Sequence, residues 1–188
     1  MSAPVPPPAT LQEGWFPLLA AVEADDVEEV EALLLLDATD PDQEASTGHA
    51  PPGIPDGIFL GGTALLLAVW HGRAACVEAM LRRADPNKAH PRFGATPACI
   101  AAYHGFVDVL RIIRRHGSCL DAVNNEGQSP VFIASEKGRL AAVQFLVSEG
   151  ADLNRANTEG WTPAFAAAEG DYVEVRSRVP PVRPSRAV

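Results

Sequence analysis

Cysteine is scarce in this chain: the three residues Cys76, Cys99 and Cys119 have neither paired nor metal-ligand spacing. That excludes a disulfide framework and a cysteine metal site, and leads us to expect an intracellular setting, cytoplasm or nucleus. Aromatic residues make up only 6%, so any core must be thin and built from small aliphatic side chains. No lysine or arginine precedes Arg73, and residues 1–175 hold 11 basic against 24 acidic side chains. A nucleic-acid partner needs a basic footprint and is not expected. No apolar stretch reaches ~18 uncharged residues. The start, Met-Ser-Ala-Pro-Val-Pro-Pro-Pro, lacks the basic and hydrophobic regions of a secretory signal, so no membrane association is expected. Gly-x-x-x-x-Gly-Lys-Ser/Thr, Gly-x-Ser-x-Gly and His-Glu-x-x-His are all absent. With them go the commonest phosphoryl-transfer, acyl-transfer and metal-hydrolysis sites, so no enzyme, cofactor or metal is expected.

What the chain does have is a period. Thr63, Thr96, Ser129 and Thr162 recur at one constant interval, each two positions after a glycine (Gly61, Gly94, Gly127, Gly160) and each opening a short apolar run. A fixed interval of this size is the mark of a solenoid. Threonine or serine accepts hydrogen bonds from the free amides of a helix start, and proline beside it (Pro97, Pro130, Pro163) has no amide to leave unsatisfied. Gly72, Gly105 and Gly138 follow at a common offset and suit a tight turn into a second helix. The second helices show apolar residues at helical spacing: Val77, Met80, Leu81; Val107, Leu110, Ile113; Leu140, Val143, Leu146, Val147. One face of each helix pair is too apolar to stand alone, and stacking buries it.

These runs and their period resemble the ankyrin repeat, which implies an all-α solenoid of helix-turn-helix units with β-hairpin-like finger loops. The expected map is a disordered proline-rich segment at 1–14, a degenerate capping repeat at 15–36 and a flexible insertion loop at 37–60. Repeats follow at 61–90, 91–123 and 124–156, with an incomplete one at 157–175 and a disordered basic proline-rich tail at 176–188. In the capping repeat Phe16 replaces the capping residue and Asp25 the turn glycine. In the last repeat the turn glycine comes one place early, at Gly170, and the second helix is expected to stop after Val175. The histidine that usually follows Thr-Pro-Leu in the family, where it ties repeats by hydrogen bonds, is replaced by Leu19, Leu66, Cys99, Phe132 and Phe165. Cohesion is therefore expected to rest on apolar packing, including Phe132 and Phe165.

The resemblance also implies a function: a non-catalytic scaffold or adaptor that binds a protein or peptide on its concave face. Helix-end positions on that face are Trp70, His71, Tyr103, His104, Glu136 and Lys137; finger positions include Phe59, Arg92, Phe93, Glu126, Gln128 and Trp161. Its first half is aromatic and its second polar and acidic. Trp70-His71-Gly72 and Tyr103-His104-Gly105 are expected to stack side by side, either as a binding ridge or as packing over neighbouring helix ends. Two histidines without a third ligand do not make a metal site. Arg111, Arg114, Arg115 and His116 read as a solvated outer face. Other expectations are a targeting or substrate-recognition subunit of a larger enzyme complex, or a truncated piece of a longer ankyrin-repeat protein. The chain is expected to be monomeric unless its C-terminal end is covered by another subunit. Asn154 matches a position that the family's asparaginyl hydroxylation would modify.

Overall fold

A computed structural model of the chain describes residues 17–36, 40–42 and 61–179. Expectations placed on 1–16, 37–39, 43–60 and 180–188, including Phe16 and Phe59, lie outside the described residues. Among the described residues five helix pairs form: α1 (Pro17–Ala24) with α2 (Val27–Leu34), α3 (Ala64–Trp70) with α4 (Ala74–Met80), α5 (Pro97–His104) with α6 (Val107–Arg115), α7 (Pro130–Glu136) with α8 (Leu140–Ser148), and α9 (Pro163–Glu169) with α10 (Val173–Arg178). Each first helix packs on the next first helix and each second on the next second, giving two parallel rows. The all-α repeat solenoid expected from the sequence is therefore what forms. No strand occurs among the described residues, so the fingers are turns rather than β-hairpins.

The first helices start where the sequence chemistry puts them. Thr63, Thr96, Ser129 and Thr162 accept the amides of Leu66, Cys99, Phe132 and Phe165 at 3.3–3.4 Å. Proline is the first helical residue in α5, α7 and α9. The second helices α4, α6, α8 and α10 have no side-chain cap, but Asp26 caps α2 by accepting Glu29 N at 3.0 Å. Every helix is six to nine residues long, shorter than the ~12–15 residues an isolated helix needs in water, so stacking holds them.

Two substitutions of the turn glycine leave the turn intact. Asp25 adopts φ 58° and Asp171 adopts φ 56°, the left-handed region that aspartate tolerates better than most residues. The sequence expectation of an early glycine turn at Gly170 is thus corrected. Asp171, one repeat interval after Gly138, carries the turn, so the last repeat keeps its register. α10 also runs to Arg178, beyond the expected stop at Val175, and Val179 is fully buried.

Polar stitches supplement the apolar stacking. Asp42, Asn87 and Asp121 each accept a backbone amide of the next repeat, from Asp85 at 3.0 Å, Cys119 at 2.7 Å and Asp152 at 2.9 Å. Within the expected insertion, Asp40-Pro41-Asp42 thereby repeats the turn of Asp85-Pro86-Asn87: Asp42 N donates to Asp40 at 2.9 Å as Asn87 N does to Asp85 at 2.8 Å. Cys99, standing where the family has histidine, still donates its thiol across to Ala122 O at 3.6 Å. The basic cluster on α6 faces solvent and joins three repeats. Arg115 and His116 meet Glu78 at 2.8 and 3.1 Å, and Arg114 meets Glu149 at 3.0 Å. The His116 hydrogen bond, helped by Arg115, holds the Glu78 carboxyl below its ordinary range.

Phe132 is buried, as expected, but Phe165 is 50% exposed. The reason is position: α9 covers Phe132, whereas no further helix pair among the described residues covers Phe165. Exposed Val173 shares that end of the stack.

Candidate protein-binding groove

The fingers are built on polar side chains that close tight turns from within. Asn124 Oδ1 accepts the amides of Glu126 and Gln128 at 3.0 and 2.9 Å, and Asn157 Oδ1 those of Glu159 and Trp161 at 3.0 and 2.9 Å. His90 Nδ1 does the same for Arg92 at 3.2 Å. This is the turn chemistry that asparagine favours. Each finger also ties to the one before it: Asn125 N donates to Phe93 O at 3.0 Å, and Thr158 N to Glu126 O at 3.0 Å. The finger side chains are thereby held in register above the first helices.

Between the fingers and the row of first helices lies an open groove of about 380 Å³. Leu66, Ile100 and Ile133 form its floor, Trp70 and Tyr103 one wall, and Phe93 with Glu126 and Gln128 the finger side; Glu136 and Lys137 lie at its acidic end. The rings of Trp70 and Tyr103 stack with centroids 6.3 Å apart and planes 17° from parallel. His104 supports both edge-on, at 4.7 and 5.0 Å, and stacks on Phe106 at 5.2 Å. Trp70 is also packed against the core, while Tyr103 is 40% exposed. The packing expected of the ridge is thus present at Trp70, while the Tyr103 ring is left open to solvent.

Of the expected site residues, Trp70, Phe93, Tyr103, Glu126, Gln128, Glu136 and Lys137 line this groove. Trp161 lines an adjoining hollow of about 220 Å³ that shares Glu126, Gln128 and Glu136 with it, and its ring rests on Phe165 at 5.0 Å. His71 does not line the groove: its Nε2 lies 3.2 Å from Glu23 Oε1, so it joins the capping repeat to the next one. His104 is a support beneath the ridge rather than part of the lining, and Arg92 lies over the Phe93 ring at 5.3 Å. Sequence reading missed Leu66, Ile100, Ile133, His90, Asn124 and Asn157. The two asparagines carried a legible signal, since they stand one repeat interval apart and just before each finger tip.

Chemically the groove is an apolar contact surface. The Cys99 thiol beside it is pushed up by burial. The Cys76 thiol, buried elsewhere and hydrogen-bonded to Asp25, rises to about 11. Neither is a thiolate at neutral pH, and only a thiolate is a nucleophile. Among the described residues no group of three or more His, Cys, Asp or Glu side chains could hold a metal ion, and no helix is long and apolar enough to cross a membrane.

Burial holds the His104 imidazole below its ordinary value, with the positive charge of Arg139 and the proximity of His71 adding to the effect. The folded state thus prefers the neutral ring. As pH falls through about 6.5 the unfolded chain takes up the proton first, so stability drops from there down to the folded value. The melting temperature is expected to fall between pH 7 and pH 5.5 by more in the wild type than in His104→Phe, measured by circular dichroism at matched ionic strength. Equal slopes would show that His104 is not the group responsible.

The helix rows and the groove together mark a type of protein: a two-row α-solenoid with an open groove between its fingers and its first helices. Residues 65–157 match the family model described as ankyrin repeats (3 copies), and through that segment the chain belongs to the ankyrin-repeat family, whose members are generally protein–protein interaction modules and typically non-catalytic. No curated protein matches the chain.

Proposed function

We propose that this protein is a non-catalytic scaffold or adaptor that binds a protein or peptide segment in the concave groove, with Trp70 and Tyr103 as its anchors. The observation that carries this reading is the groove itself, where stacked, partly exposed aromatic rings stand over an apolar floor. Aromatic residues in such settings dominate interface energetics because they combine large contact area with few rotatable bonds. The surface is held by fingers hydrogen-bonded to one another, so little ordering cost remains when a ligand docks.

The test is affinity capture with mass spectrometry, comparing the wild type with a Trp70→Ala/Tyr103→Ala double mutant whose helical content is verified by circular dichroism. A defined set of proteins is expected to disappear from the mutant's capture. With a purified partner, each substitution is expected to weaken binding by about 2 kcal/mol or more, some thirtyfold in Kd. An unchanged set would move the binding site off this groove.

A further inference from the structure

We infer that the groove takes an extended segment carrying a bulky apolar side chain with basic residues three to six positions away. This rests on the reading above and adds the chemistry of the partner. The apolar groove and the adjoining hollow share Glu126, Gln128 and Glu136, so they form one continuous channel. Its first part is made by Trp70, Phe93, Tyr103 and the aliphatic floor. Its second part gathers Glu126, Glu136, Glu159 and Glu169 around Trp161, with no lysine or arginine among the residues lining it. Among the described residues Glu126, Glu159 and Glu169 have no salt-bridge partner, and Glu136 meets only Lys137 at 3.5 Å.

The channel already accepts a cation at the junction of its two parts. Lys137 Nζ lies 5.2 Å from the centre of the Tyr103 ring while it contacts Glu136, so this junction holds the chain's own ammonium between a π face and a carboxylate and leaves Glu126, Glu159 and Glu169 for a partner's basic residues. The excess of 24 acidic over 11 basic residues in 1–175 favours the approach of a basic partner at low salt. The spacing follows from the fold. Neighbouring first helices lie about 8–10 Å apart, and the two parts are separated by one to two such steps. An extended chain covers that in about three to six residues at ~3.3 Å each.

The test measures fluorescence anisotropy of the full chain with labelled peptides of about ten residues. Each has one Phe anchor in a Ser/Gly background and, on either side at the stated spacing, two Arg, two Ser or two Glu. At about 50 mM salt the Arg peptide is expected to bind roughly tenfold tighter than the Ser peptide and the Glu peptide weaker still, the preference shrinking at about 500 mM. A Glu126→Lys/Glu159→Lys double mutant is expected to reverse the order. Equal affinities for all three, each abolished by Trp70→Ala/Tyr103→Ala, would overturn this inference and leave the groove as a binding site. Arg-peptide binding unchanged by that double mutant, or retained when the Phe anchor becomes Ser, would place the interaction elsewhere and overturn both. No binding of any peptide overturns the inference while the capture experiment still judges the groove. Tighter binding after removal of residues 180–188 would assign the channel to the chain's own Val182-Arg183-Pro184-Ser185-Arg186 and overturn a separate partner.

Discussion

Phe132→Ala is expected to lower the free energy of unfolding by about 3–5 kcal/mol, because it removes a large side chain from a closed site and leaves a cavity. Phe132 is 2% exposed on α7, one turn beyond the Ser129 cap, and α9 packs against that helix. Phe165 provides an internal control. It occupies the same position one repeat later, with the same capping bond to Thr162, yet stands 50% exposed. Phe165→Ala is expected to cost under about 1 kcal/mol, as surface substitutions do. Urea unfolding followed by circular dichroism measures both. The difference between them isolates what stacking a following helix pair contributes, since residue type and local helix are matched. Equal costs would mean that Phe165 is covered or that Phe132 is not.

Gly138→Ala is expected to cost about 2–5 kcal/mol, and from two separable causes. At φ +65° an alanine meets left-handed backbone strain of about 1–2 kcal/mol. Its Cβ would also fall 2.5 Å from the Tyr172 ring of the next repeat, an overpacking that costs about 1–3 kcal/mol unless the ring shifts. A double-mutant cycle separates them: in a Tyr172→Ala background the steric part vanishes and only the strain remains. Additive costs in the two backgrounds would show that Tyr172 moves freely and that Gly138 serves its φ alone.

The same contact recurs along the stack. Gly72 faces Phe106 and Gly105 faces Arg139 at the equivalent place, so each turn glycine is a seat for the residue that opens the second helix of the following repeat. From the chain alone, a tight or left-handed turn is legible at these positions; that a neighbouring side chain fills the space where a Cβ would stand is not. Asp171 shows the limit in the other direction. Reading residue identity pointed to Gly170 as the turn, whereas repeat register, set by packing against α7 and α8, puts the left-handed residue at Asp171.

The candidate site divides the same way. Trp70, Tyr103, Phe93, Glu126, Gln128, Glu136 and Lys137 were legible because a constant period superimposes equivalent positions, and positions on one side of a repeat share one face of the stack. His71 and His104 share that register, yet they serve as a link to Glu23 and a support beneath two rings. Which way a ring turns depends on neighbours contributed by other repeats.

The period, the helix starts and the identity of the repeats are legible in the chain alone, because caps, prolines and apolar spacing act within a few residues of one another. So is the excess of acid, which is a matter of counting. It took the stacked repeats to settle which of two equivalent phenylalanines is core, which turn residue takes positive φ, and that an apolar groove and an acidic hollow share Glu126, Gln128 and Glu136. Those outcomes depend on what the adjacent repeat places against each residue, and contacts between units a full repeat apart are made only when the stack closes.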